Sequence, residues 1–189
     1  MQKVEIRRPN LNDVKELHSF FDEVIHDTFA KEGLSDWNED ITTEVQSKQH
    51  HLQLDLSSNG EIRYFLIAID PPSNSIVGTI ECGSPNNIIT SNTNKSWKKL
   101  IEIATVFVHP NYQRKGIGNT LLHSMLITLL SRGIQEFCLD SGYSRAQNIW
   151  ENKFGAPNIL LKDFWGPGMD HLIWRRSIKE TPILFSTNK

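Results

Sequence analysis

Apolar and polar residues alternate over Val4 and Ile6, and the spacing then changes to threes and fours at Leu11, Val14, Leu17, Phe20, Phe21, Val24 and Ile25. The first pattern predicts a strand and the second a helix, with Asn10 as its cap and an end before Gly33. Ile41, Val45, Leu52 and Leu56 predict a weaker surface helix, interrupted by the polar run Ser47 to His51. Ile62 to Ile69 and Ile76 to Cys82 are rich in β-formers and predict a hairpin of inner strands around Asp70 to Ser75. Ser84 to Lys99 is polar and reads as a long loop, passive or disordered in preference to a flap over a site. Trp97, isolated within it, is the argument for a flap.

Leu100 to Val108 predicts a central strand. Leu121, Leu122, Met125, Leu126, Leu129 and Leu130 place an amphipathic helix over Gly116 to Arg132, closed by Gly133. Ile134 to Leu139 is the next strand, which a right-handed helical crossover makes parallel to the central one and next or nearly next to it. Ala146, Ile149, Trp150 and Phe154 mark a short helix ended by Gly155 and Pro157. Ile159 to Trp165 and His171 to Ile178 form a second hairpin, followed by a loosely attached tail from Lys179. The order is β-α-α-β-β-β-α-β-α-β-β, an α/β chain with a mixed sheet.

The chain has 189 residues and a formal net charge of −2, the size of one domain with no global field for nucleic acid or an anionic membrane. A single domain over 1–189 is expected, with its core at about 3–178. Cys82 and Cys138 make neither a disulfide framework nor a C-x-x-C metal site, so no metal is expected. The N-terminus lacks a signal-peptide apolar region, and no apolar run approaches the roughly 20 residues that span a bilayer. These features predict a soluble, reduced, cytoplasmic protein.

The candidate chemistry sits between the central strand and its helix, in V-F-V-H-P-N-Y-Q-R-K-G-I-G from Val106 to Gly118. The first N–H groups of a helix lack internal partners and carry partial positive charge. Gly116 and Gly118 clear side chains from that end, while Arg114 and Lys115 add formal charge, which predicts a phosphate or pyrophosphate cradle. Leu121 stands where G-x-G-x-x-G needs its third glycine, and no G-K-[ST] follows, so both common nucleotide motifs are disfavoured.

Gln113 to Gly118 matches [QR]-x-x-G-x-[GA], and with its lead-in the stretch resembles the acyl-CoA signature of the GNAT N-acetyltransferase superfamily. The element order resembles the GNAT fold, in which helices cover both faces of the sheet and the central strand carries a bulge and splays from its neighbour. The resemblance implies acetyl-CoA as co-substrate, its pyrophosphate on Gln113, Arg114, Lys115, Gly116, Ile117, Gly118 and Asn119. It also implies that the backbone of Val106, Phe107 and Val108 meets the pantetheine arm, with an N–H near Val108 for the oxyanion.

An amine nucleophile must shed a proton. Glu102, a carboxylate in an apolar strand, is the expected base, and it stands where histone-acetylating relatives carry theirs; a solvent-facing or salt-bridged strand glutamate is the bland alternative. Glu81 and Asp140 rank behind it, and His109 reads as a turn histidine. The resemblance also implies an acid in the last helix, within a pattern like N-x-x-A-x-x-x-Y. Here Trp150 stands at the tyrosine, leaving Tyr143 or solvent to protonate the thiolate. Trp37, Trp97, Trp165, Trp174, His50 and His51 are available to line an acceptor site, and Arg63, Arg175 and Arg176 to bind an acidic one. The expected activity is direct acetyl transfer to an amine of a small molecule or peptide, and a homodimer is compatible with it. The alternatives are a catalytically silent acyl-CoA-binding sensor or scaffold and, least favoured, a cysteine-nucleophile transferase.

Overall fold

A computed structural model describes residues 3–184. Seven strands make one mixed sheet in the order β1-β2-β3-β4-β5-β7-β6: β1 (Glu5–Arg7), β2 (Arg63–Asp70), β3 (Ser75–Gly83), β4 (Ile101–Val108), β5 (Glu136–Ser141), β6 (Ile159–Leu161) and β7 (His171–Ser177). The chain divides into two compact units, and β4 contributes its first half to one and its second half to the other.

Of the described residues, the first unit holds 3–82, Thr105–Thr128 and 183–184. β1 runs antiparallel to β2. Asn10 caps the 3-10 turn that leads into α1 (Val14–Lys31), in a capping box with Asp13. α1 buries Leu17, Phe20, Phe21, Val24, Ile25 and Phe29, whereas Leu11, expected at the head of this stripe, lies exposed in the preceding 3-10 turn and Val14 is half-buried. α2 (Asn38–Ser57) packs on α1 and β2.

The expected interruption of α2 is absent: Ser47 to His51 is continuous helix. Its polar residues are not all solvent-facing either. Asp55 is fully buried and accepts hydrogen bonds from the Phe65 N–H at 3.0 Å and from Arg8 at 2.9 Å, which ties this helix to β2. Burial pushes the Asp55 carboxyl above its ordinary value, against those two bonds. α4 (Ile117–Ser131) contributes its first three turns here. A Cβ on Gly78 would meet Leu121 Cδ1 at 2.9 Å and Phe107 O at 3.1 Å, so glycine is what lets α4 lie close to β3 and β4.

The second unit holds Gly83–Ala104 and Leu129–Pro182. β4 and β5 are parallel neighbours, with Ile101 opposite Phe137 and Glu102 opposite Cys138; β7 pairs antiparallel with both β5 and β6. α5 (Ser144–Phe154) packs on β5 and β7. The segment expected as a passive loop is ordered: α3 (Asn87–Asn92) and a 3-10 turn at Trp97–Lys99 occupy it. Ile89 and Trp97 reach a cluster with Leu100, Cys138 and Ile173. Burying those two apolar side chains offsets the entropy that a polar segment alone would keep. The loose tail expected from Lys179 begins with a 3-10 turn at Ile178–Glu180 that buries Ile178, and its last five positions lie outside the described residues.

Candidate active site

The turn before α4 has the geometry of an anion cradle. Arg114 and Gly116 have φ of 60° and 87°, and backbone that alternates in and out of the left-handed region turns successive N–H groups toward one concavity. Thr120 N–H bonds Gly116 O at 3.1 Å. The first N–H groups of a helix have no partner within it, and Ile117 and Gly118 open α4. Gln113, Arg114, Lys115 and Asn119 are exposed. Gln113 Nε2 donates to Val108 O at 3.2 Å and its Oε1 accepts from Lys31 at 3.2 Å, so this side chain braces the turn against the end of β4. Val106, Phe107 and Val108 are each half-buried. His109 is a turn residue, its ring accepting from Asn111 N–H at 3.2 Å and meeting Glu23 at 3.0 Å.

Also in the first unit, Glu81 on β3 is completely buried. Its Oε1 accepts from the Thr105 hydroxyl and lies 2.9 Å from His51 Nδ1, while Arg63 stands 3.8 Å from its Oε2. Burial works to raise this carboxyl, but the His51 bond and the charges of Lys48, His51 and Arg63 outweigh it and hold Glu81 below its ordinary value. An ionised Glu81 has only acceptors, so the His51 nitrogen facing it carries the proton. Thr105, in the middle of β4, has φ of 51°. That is an outlier for a β-branched residue, and it marks the irregularity expected of the central strand.

In the second unit a chain of hydrogen bonds links four elements, α3, β4, β5 and β7. Asn86, the cap of α3, donates from its backbone N–H to Glu102 Oε2 and from its side-chain amide to Glu102 Oε1, both at 2.9 Å. The same amide donates to Asp140 Oδ2 at 2.9 Å. Asp140 Oδ2 also lies 2.9 Å from His171 Nε2, and Trp165 Nε1 donates to His171 Nδ1 at 3.0 Å. Indole can only donate, so the His171 proton sits on Nε2, facing Asp140. Glu102 is 3% exposed, which removes the solvent-facing alternative. Burial, with Glu102 and Asp140 nearby, pushes the Cys138 thiol strongly up, away from nucleophilic use.

Tyr143 precedes α5, half-buried, its N–H bonded to Ser141 Oγ at 3.1 Å. Trp150 is buried and stacks on Phe154 with ring centroids 5.7 Å apart. Two of the expected acceptor-lining aromatics are core instead: Trp174 is fully buried with its N–H on Gly155 O, and Trp97 packs in the cluster above. Trp37 is half-buried beside the start of α2, and Trp165 remains 43% exposed. His50 lies next to His51, ring centroids 6.5 Å apart. Arg63 belongs to the Glu81 group, whereas Arg175 is bidentate to Glu136 and Arg176 binds the carbonyls of Phe154 and Ala156. Asn86 and Thr105 drew no notice in the sequence, because a cap and a strand threonine are unremarkable until their partners are known. Among the described residues no group of three or more His, Cys, Asp and Glu is arranged to hold a metal ion, and no helix is long and apolar enough to cross a membrane.

A seven-stranded mixed sheet packed with helices is the architecture of GNAT acetyltransferase structures. The sequence model of the acetyltransferase (GNAT) family matches residues 24–156, and the chain belongs to that family. Solved structures agree on the fold. The PaiA N-acetyltransferase of Thermoplasma acidophilum, in complex with coenzyme A, is 20% identical, with 93% of this chain and 99% of that one covered and a TM-score of 0.63. A phosphinothricin acetyltransferase of Sinorhizobium meliloti, in complex with AcCoA, is 16% identical, covering 99% and 94% at a TM-score of 0.67. A ribosomal-protein-alanine N-acetyltransferase of Brucella melitensis is 19% identical, covering 92% and 99% at 0.66. Among curated proteins, none matches the sequence.

Proposed function

We propose that the protein is an acetyl-CoA-dependent N-acetyltransferase of the cytoplasm, one transferase domain over residues 1–189, acting on an amine of a small molecule or peptide. The observation that carries this reading is the turn at 113–118, where left-handed Arg114 and Gly116 open backbone N–H groups at the head of α4. The N–H groups of Arg114 to Asn119 would hold the pyrophosphate, with Gln113 bracing the turn. The backbone of Val106, Phe107 and Val108 would pair with the pantetheine amides and offer an N–H to the oxyanion. Related structures that contain coenzyme A or AcCoA support this choice of carrier.

The amine attacks the thioester directly, a route supported by the inert setting of Cys138. Tyr143 or solvent protonates the leaving thiolate. Two groups compete to take the amine proton: Glu102, the base expected from the sequence, and the His51–Glu81 pair. Asn86 already donates to both Glu102 oxygens, which favours an ionised carboxylate that keeps its charge and favours the second candidate as the base.

One observation favours a catalytically silent CoA-binding module instead: the helix position at which the family resemblance implies a tyrosine is buried Trp150. Release of free thiol from acetyl-CoA, measured against polyamines, amino acids, aminoglycosides and short peptides beside calorimetric CoA binding, separates the readings. Amine-dependent release is expected. Tight binding without release across the panel would replace the enzyme by the silent module.

A further inference from the structure

We infer that His51, held in one tautomer by Glu81, is the group that takes the proton from the acceptor amine; the inference rests on the transferase reading above. Three observations in the first unit carry it. Glu81 Oε1 sits between two donors, the Thr105 hydroxyl and His51 Nδ1, so the imidazole lone pair lies on Nε2. The carboxylate is completely buried, whereas the His51 side chain keeps 20% exposure, enough to meet a substrate and to pass a proton to water. Thr105 ties the pair to the residue preceding Val106, the start of the backbone assigned to the acyl arm. A carboxylate that orients an imidazole and stabilises its cationic form is the recurring construction of a general base.

The charged groups around the pair include two cations, Lys48 on α2, which is held by Glu44 at 3.1 Å, and Arg63 on β2. Lys48, His50 and Asp55 accompany His51 on α2, and Asp55 is bonded to Arg8. Arg63 faces Glu81 from β2. On α1, Glu16 is engaged by Ile76 N–H at 2.7 Å and Glu23 by His109 at 3.0 Å. Asp55 stands one helical turn beyond His51 and anchors α2 to Phe65, so the imidazole is carried on a fixed element, not on a loop.

In the step itself one N–H bond of the substrate ammonium breaks toward His51 Nε2, leaving the electron pair on nitrogen. The free amine attacks the thioester carbon and the C–S bond breaks. The second nitrogen proton ends on the thiol, directly or through Tyr143 or solvent. His51 returns its proton to water, so the balance is ammonium plus acetyl-CoA giving amide, free CoA and one proton.

Two experiments test the assignment on the whole chain. Nitrogen-15 NMR of the free protein above neutral pH should find the Nδ1–H tautomer for His51, lost in Glu81→Gln; an Nε2–H tautomer in the wild type overturns the inference whatever the acceptor. With the acceptor that gives wild-type thiol release, His51→Gln should lower kcat about a hundredfold or more and abolish the acidic limb of the kcat profile, with CoA affinity unchanged. His51→Ala should regain activity with added imidazole. Wild-type turnover combined with an unaltered pH profile in His51→Gln overturns the role of His51 and leaves the transferase reading intact.

Discussion

Asn86 meets Glu102 twice, through its backbone N–H and its side-chain amide, each at 2.9 Å. One residue thereby caps α3 and fills both oxygens of a buried carboxylate on β4. In Glu102→Gln one of these contacts becomes donor against donor. Its stability should fall by about 1 to 3 kcal/mol, measured by chemical denaturation. With His51 as the base, the pH profile of turnover keeps its acidic limb in this variant. A profile flattened by Glu102→Gln alone would give the proton to Glu102 instead.

The two cradle glycines should separate folding from binding. A Cβ on Gly118 would come no nearer than 3.6 Å to Val108 Cγ2, so Gly118→Ala leaves the folded chain room. Its melting temperature should stay close to wild type while CoA affinity falls about tenfold as the methyl group crowds the pyrophosphate. Gly116→Val, at φ 87°, should lose stability as well as binding, by about 1 to 3 kcal/mol. Unchanged CoA affinity in both, by calorimetry, removes the cradle.

Trp97→Ala should cost about 3 to 5 kcal/mol, the usual range for deleting a buried aromatic side chain. The loss should appear in thermal unfolding of the whole chain. A loss under about 1 kcal/mol would mean that this segment contributes little to the packing of the second unit.

Acid unfolding should report the Arg7–Asp13 pair. Arg7 donates to both Asp13 oxygens, at 2.7 and 2.8 Å, and holds that carboxyl below its ordinary value. Its stabilisation is complete above the unfolded carboxyl value of about 3.9 and is lost as pH falls through the lower folded value. Asp13→Asn should therefore be less stable than wild type at pH 7, by about 1 kcal/mol, and the gap should close as the pH falls below the ordinary carboxylate range. A gap of constant size across that range excludes the ion pair as its source.

What the sequence makes legible follows from how far apart the cooperating residues lie. The cradle is contiguous, so its glycines and cations can be read together, and the leucines of α4 follow at helical spacing. The neighbouring pairs β2–β3, β4–β5 and β6–β7 are readable for the same reason, from local alternation and one handedness rule, whereas the rest of the sheet order is not. The side-chain groups are built otherwise: His51 and Glu81 are 30 residues apart, Asn86 and Asp140 54. In a linear reading His51 belongs to a polar run and Asn86 to a polar loop, and only packing converts the first run into unbroken helix and the second into a capped one.

Thr105 pairs an unfavourable backbone with a useful hydroxyl, and that conflict dictates how the position answers to selection. Glycine or asparagine would relax a φ of 51° yet remove the hydroxyl that donates to Glu81. A library sorted for heat resistance alone should drift to those residues, whereas one sorted for turnover should hold threonine. The divergence between the two enriched pools at this single codon would display, in sequence counts, the exchange of stability for activity that the strand has accepted.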